Sequence, residues 1–241
     1  MFKHVKYNIK RPFAKAEHTD EGHFYRTENG KLYPSITTIF KLVEPGESQD
    51  WYEHWIQSVM RKQGISKSEA VDWCKEYSES SMKVGTELHN LAELHLNNQI
   101  FLRTKEEMDK FEKNPMDLFH VLKKWLDENI EEVHGSEVKL YSDELEVAGT
   151  VDLVAVLKTG EKVIIDFKNS RNPKTPGKVK DSHYYEQATA YSIMVKECMN
   201  INIDKILIIV LSWDNKLRVF ESTPDKHESD LWTWIIRYNS L

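Results

Sequence analysis

The sequence predicts an α/β (α+β) chain in which a central mixed β-sheet is flanked by helices and carries an N-terminal helical elaboration. Three observations predict it. Residues 50–131 are dominated by helical spacing. After Gly135, the segments SEVKLYS, ELEVAGTVDLVAVL and KVIIDFK are rich in Val and Ile and read as a three-stranded meander. One helix later, KILIIVLS is a continuous apolar run, the pattern of a strand buried on both faces. Helices and strands in this order pack as layers. A length of 241 residues suits one domain, with the hairpin and helical part at 1–132 and the core at 133–241.

The elements follow in order. HFYR-TENG-KLY is a hairpin, with Asn29-Gly30 supplying the turn. Pro34-Ser35 leads into a helix that Ser35 or Thr37 can cap. Residues 50–63 and 67–98 are helical, the second capped by Ser66 or Ser68. Residues 104–131 are helical again, interrupted at Asn114-Pro115, where proline cannot continue the ladder. Lys158-Thr159-Gly160-Glu161 turns between two strands of the meander. A loop rich in Pro, Lys and Asn spans 169–181, and 182–199 returns to helical spacing. KLRVFE follows Asp214-Asn215 as an outer strand, and LWTWIIRY closes the chain as an aromatic helix. Its Trp232 and Trp234 read as core or lid aromatics.

Hydrophobic residues make up 40% and charged residues 30%, as in ordinary soluble proteins. No apolar run approaches the ~20 residues that span a bilayer, so no membrane partner is expected. The start, MFKHVKYNIKRPF, is basic but lacks the apolar stretch of a secretory signal, which predicts a mature N-terminus. Cys74 and Cys198 make no framework and no metal-binding pair. They fit a reducing, cytoplasmic setting, the host's cytoplasm if a phage encodes the chain. A net charge of −6 argues against indiscriminate coating of nucleic acid. Two segments are locally basic. One holds Lys3, Lys6, Lys10, Arg11 and Lys15; the other, 167–181, holds Lys168, Arg171, Lys174, Lys178 and Lys180 against Asp181 alone. A solvated loop would also account for either.

The chemistry sits on the meander. Side chains in a strand alternate faces, so Asp166 and Lys168 project together and Val163, Ile165 and Phe167 project oppositely. On the preceding strand, Asp152 points away from Val151 and Leu153, and the turn at 158–161 brings it toward Asp166. Two carboxylates held together repel, and each resists burial. A hard cation such as Mg²⁺ or Mn²⁺ resolves that repulsion through oxygen ligands. The lysine then stabilises developing negative charge. This is a kit for phosphodiester hydrolysis. An isolated D-x-K would read better as a salt bridge; its place in the apolar strand VIIDFK, beside Gly149-Thr150-Val151-Asp152, favours the site.

GTVDLV…VIIDFK resembles the core of the PD-(D/E)XK nuclease superfamily, and more specifically its RecB-like exonuclease branch, which includes the mitochondrial genome maintenance and phage exonucleases. Val84-Gly85-Thr86-Glu87-Leu88-His89 resembles the branch's helical G-T-x-x-H element, and Tyr184-Tyr185-Glu186-Gln187 its Y-x-x-Q element. Tyr33-Pro34-Ser35-Ile36-Thr37 resembles its early P-S-[VI]-T stretch. The strong match covers about residues 84–191. The resemblance implies a restriction-endonuclease-like core. It implies that His89, Asp152 and Asp166, with the main-chain carbonyl of Phe167, ligand Mg²⁺ or Mn²⁺. It makes Lys168 the catalytic lysine, Gln187 the group that positions Lys168 or the scissile phosphate, and Glu137 a supporting carboxylate. Tyr184, Arg171, Lys174, Lys178, Ser35 and Thr37 become candidate DNA contacts.

Each has an ordinary alternative. His89 is four residues before Glu93 and could bond it on the helix surface. His95 falls off that face and reads as structural, Tyr191 reads as packing one turn after Gln187, and Glu137 reads as an exposed strand residue. Two cysteines cannot hold the iron–sulfur cluster of some RecB-like members. No G-x-x-x-x-G-K-[ST] loop is present, so ATP is not expected to be used. Duplex opening would fall to a helicase or to a replication or recombination partner. The activity implied is exonucleolytic digestion of single-stranded DNA or DNA ends, with residues 42–132 as an arch or wall over the cleft. A structure-selective or repair endonuclease, a catalytically silent DNA-binding module and an RNA-directed nuclease are the other readings.

Overall fold

Short strands with alternating polarity open the chain: β1 (Lys3–His4), β2 (Phe13–His18), β3 (His23–Thr27) and β4 (Leu32–Pro34). The computed structural model describes residues 1–7, 9, 13–19 and 22–241. Lys10 and Arg11 of the basic N-terminal segment lie outside the described residues, as does the side chain of Lys15. Strands β2, β3 and β4 form a three-stranded antiparallel sheet, so the expected hairpin has a third strand. Gly30 takes a φ of +82° in the turn, a conformation that the absence of a Cβ makes cheap.

Five helices follow: α1 (Ile36–Val43), α2 (Pro45–Gln63), α3 (Lys67–Leu96), α4 (Lys105–Met108) and α5 (Pro115–Asn129). Ser66 and Glu69 form a reciprocal capping box at the start of α3, which satisfies two donors the first turn would leave orphaned. The helix expected over 104–131 divides further than expected. Only one turn forms at α4; Asn114 then caps a new helix whose first residue is Pro115. Proline has no N–H to lose at that position.

The main sheet holds β1, β5 (Ile130–Ser142), β6 (Val147–Leu157), β7 (Lys162–Ser170), β8 (Lys205–Ser212) and β9 (Lys216–Ser222), in the spatial order β1-β5-β6-β7-β8-β9. The meander is antiparallel, β7–β8 is parallel, and β8–β9 is an antiparallel hairpin. Strand β5 begins five residues before the expected change at Gly135, and β1 adds a parallel edge that the sequence does not announce. The basic loop after β7 contains a short helix, α6 (Pro176–Lys180). Helices α7 (Tyr184–Met199) and α8 (Glu228–Tyr238) complete the chain.

Two apolar layers fill the space beside the sheet. On one face, α1, α7 and α8 bury Ile39, Met194 and Leu231 against Val154, Ile164 and Ile208. On the other, α3 and α5 bury Leu88, Leu122 and Leu126 against Leu153, Ile165 and Ile209. Each fully buried leucine or isoleucine contributes about 1.5–3 kcal/mol before chain entropy is subtracted. The apolar runs of β7 and β8 follow from this two-sided cover. Val151 joins the α7 layer and Leu153 the α3 layer, so these two residues do not share a face as simple alternation requires. Opposite them, Glu137 holds a φ of +51°, which breaks the regular pleat of the ribbon. Helix α2 and the first half of α3 have an apolar cluster of their own around Ile56, Val59, Ala70 and Cys74. Among the described residues, no helix is long and apolar enough to cross a membrane.

Candidate active site

Strands β6 and β7 pair from Leu153–Ile165 to Val156–Lys162 and then part. The fork left between them holds the site. Asp152 Oδ2 accepts a hydrogen bond from the Phe167 amide at 2.7 Å, taking the place that a strand neighbour would occupy. The Phe167 carbonyl oxygen lies 3.0 Å from Nε2 of His89. The other ring nitrogen of His89 lies 3.5 Å from Glu137 and 3.6 Å from Asp152. His89 therefore turns into the fork, toward Phe167, Glu137 and Asp152. Its neighbour on the helix, Gly85, passes close to Asn169, with room for only an ordinary contact between them.

The second half of the site runs from β7 to α7. Lys168 Nζ is 2.7 Å from Asp166 Oδ2 and donates to Gln187 Oε1 at 3.1 Å. Gln187 Nε2 donates to the Tyr191 hydroxyl at 2.9 Å, so Tyr191 bonds within the site as well as packing. The Tyr184 ring stands 4.8 Å from the ammonium, close enough for cation–π attraction. A cleft of about 720 Å³ opens over these groups, with Ser81, Met82 and Thr86 of α3 along one wall.

The charges constrain one another. Burial works against the charged form of His89, but Asp152 and Glu137, with Asp166 behind them, raise its pKa to about 9. Burial pushes Asp166 up to about 6, aided by the charge of Asp152 and opposed by Lys168. Asp152 is likewise raised by burial, with His89 and Lys168 pulling the other way. Burial disfavours the Lys168 ammonium, yet Asp166 and Asp152 outweigh it and keep the amine charged.

One atom each from His89, Glu137 and Asp152 lies within 4.8 Å of the others. An imidazole and two carboxylates, beside a main-chain carbonyl, suit a hard or borderline divalent cation. This grouping differs from the expected His89–Asp152–Asp166 set. Glu137 stands inside it, while Asp166 is paired with Lys168.

Two expected DNA contacts fall elsewhere. Ser35 is buried and caps α1, its hydroxyl accepting from the Thr38 amide, so it is not presented to a strand. Arg171 is spent on the fold. Its guanidinium bonds both oxygens of Glu112, the Ser81 hydroxyl and the Tyr77 carbonyl, between the rings of Tyr77 at 3.7 Å and Trp213 at 3.9 Å. Lys178 and Thr37 are exposed, and Lys174 is half-buried. His95 pairs with Asp127 at 2.8 Å and meets the ring edges of Phe2 and Phe119. Trp234 is buried under α8, and Trp232 is half-buried against the same layer.

Asn169 escapes the sequence reading. Its amide donates to the Ser81 carbonyl at 2.9 Å and accepts from the Trp213 indole at 2.8 Å, tying β7 to the helix that carries His89. Its position just after D-x-K was the available signal. Gly149 matters for a different reason. A Cβ there would lie 2.9 Å from a ring carbon of Tyr191, and Tyr191 cannot move without pulling on Gln187. Gly149→Ala should therefore cost about 1–3 kcal/mol by urea unfolding; a loss under about 0.5 kcal/mol would mean that the ring yields freely.

A comparison with curated proteins gives no match. Residues 54–210 match the family model described as the PD-(D/E)XK nuclease superfamily. The matched stretch is well over half of the 241 residues and contains the whole fork, His89 and Gln187. The chain belongs to the PD-(D/E)XK nuclease superfamily.

Proposed function

We propose that this chain is a Mg²⁺- or Mn²⁺-dependent DNA exonuclease of the RecB-like kind, acting on single strands or on DNA ends. The observation that carries the reading is the convergence of His89, Glu137 and Asp152 with the Asp166–Lys168–Gln187 chain on one fork of the sheet. His89, Asp152 and Glu137 would hold the cation, with Asp166 and the Phe167 carbonyl beside them. The cation supplies Lewis acidity toward water and a phosphate oxygen. Lys168 places a fixed positive charge where negative charge grows on the phosphate. Gln187, itself anchored by Tyr191, fixes the direction of that ammonium. Tyr184, Lys174, Lys178 and Thr37 remain candidate strand contacts.

The exonuclease reading draws support from α3, whose Ser81, Met82 and Thr86 wall the cleft and whose first half packs with α2 on a core of its own, a wall that could bound a threaded strand. Linear and circular single-stranded DNA, digested side by side in Mg²⁺, test it. The linear form should disappear while the circle persists; efficient cutting of the circle would point to an endonuclease instead.

The imidazolium of His89 gives a second test. A histidine must be neutral to ligand a metal, and metal-free His89 stays charged to about pH 9. Binding then displaces one proton. The apparent Mn²⁺ affinity should rise about tenfold per pH unit between pH 7 and 9. Calorimetry in buffers of different ionisation enthalpy reads the released proton, and His89→Ala should flatten the slope. An affinity independent of pH would remove His89 from the ligand set. The sign for the metal-free fold is opposite. A raised histidine pKa stabilises the fold below about pH 6.5, and that gain is lost as pH rises toward 9.

A further inference from the structure

Beside the catalytic cleft lies a second cavity of about 620 Å³. It sits between α1, α2, α8 and the residues just before α7, and it shares no lining residue with the first. Its flat surfaces are Phe40, Trp51, Tyr52, Trp234 and His183. Phe40 and Trp234 meet edge to face at 5.1 Å, and His183 and Trp234 at 4.8 Å, so the rings brace one another. Trp51 is 63% exposed at the rim. Among the described residues, no Leu, Ile, Val or Met lines the cavity.

We propose that this cavity receives an unstacked nucleobase of the strand whose phosphate occupies the catalytic cleft. This rests on the reading of the chain as a single-strand nuclease. Aromatic faces stack any base and serve aliphatic side chains less well. The charges in the lining favour a base over a phosphate. Among the described lining residues, Lys41 is the one lysine or arginine against two carboxylates, Asp181 and Glu44, and Glu44 pairs with Arg237 at 2.5 Å. Asp181 and the hydroxyl oxygens of Thr37 and Ser182, which bond Ser35 and the Lys178 carbonyl and still offer lone pairs, suit the amino groups of a base. Continuity with the cleft comes from adjacent residues. His183 lines the cavity, and the next residue, Tyr184, stands over Lys168. His183 holds a φ of +54°, which turns the chain between the two chambers.

Trp51→Ala tests this, because an exposed rim residue can be removed without opening the core. Stacking on one aromatic residue predicts about a 5- to 150-fold rise in KM for a single-stranded oligonucleotide. Turnover of the base-free diester methyl p-nitrophenyl phosphate in Mn²⁺ should be unchanged. Trp51→Phe should restore most of the affinity. An oligonucleotide of abasic sites should bind wild type and Trp51→Ala alike, read by fluorescence anisotropy in an Asp166→Asn background. An unchanged KM for the intact strand overturns the proposal, as does an equal loss on the abasic strand. If wild type cuts no oligonucleotide, the nuclease reading fails; the anisotropy comparison of intact and abasic strands still decides whether the cavity takes a base.

Discussion

Lys168→Ala should lower turnover on a single-stranded oligonucleotide about 10²–10³-fold while leaving Mn²⁺ affinity within a few-fold of wild type. The asymmetry follows from where the amine sits. Its Nζ contacts Asp166 and Gln187 and is not one of the ligand atoms of the His89–Glu137–Asp152 group. Losing it removes the positive charge that Asp166 and Asp152 keep on the amine. The cost to the metal-free fold should be small, because Asp166, already raised to about 6, can take up a proton when its countercharge disappears. Lys168→Arg should not recover activity, since a planar fork cannot replace a point charge held between one carboxylate oxygen and one amide oxygen. Single-turnover cleavage measures the rate and calorimetry the metal. Cleavage within tenfold of wild type would show that Lys168 is not the charge-stabilising group.

Arg171→Ala should be the most destabilising of the surface-reachable substitutions, at about 2–4 kcal/mol by urea unfolding. Its guanidinium is sandwiched between two rings and bonds three groups, the Ser81 hydroxyl and Tyr77 carbonyl on α3 and the Glu112 carboxylate before α5. Deleting it forfeits stacking and packing as well as charge. Glu112→Ala should cost less, about 1 kcal/mol or below, because the carboxylate it removes is 52% exposed and the guanidinium keeps both rings and its bonds to Ser81 and Tyr77. If the two substitutions cost the same, the ion pair, not the aromatic sandwich, would be the source of the stability.

Much of this was legible in the chain. Asn29-Gly30 marked the hairpin, Ser66 or Ser68 marked the start of α3, and the apolar run KILIIVLS marked the doubly covered strand. Those features are local, so local chemistry reveals them. Arg171 was different. A basic residue after the D-x-K strand reads as a phosphate contact, and its partner Glu112 is 59 residues away on a segment with no pattern. Ser35 was read both as a cap and as a strand contact, because one hydroxyl serves either equally well on paper, and burial in the cap decides between them. Glu137 was underrated because a left-handed strand residue is invisible to a two-residue period. The two-residue edge strand β1 pairs with residues 129 positions distant, which no window of sequence contains.

The main chain of Phe167 gives up both of its polar groups to the fork, its N–H to Asp152 and its carbonyl to His89. A scan that truncates one side chain after another would pass over this linkage, because every residue except proline brings the same N–H and C=O. Residue 167 could thus score as a mere core phenylalanine while its main chain holds the two halves of the ligand group in register. Replacing that single amide by an ester through chemical ligation would delete the N–H and leave the side chain intact, exposing a working part that has no letter of its own in the sequence.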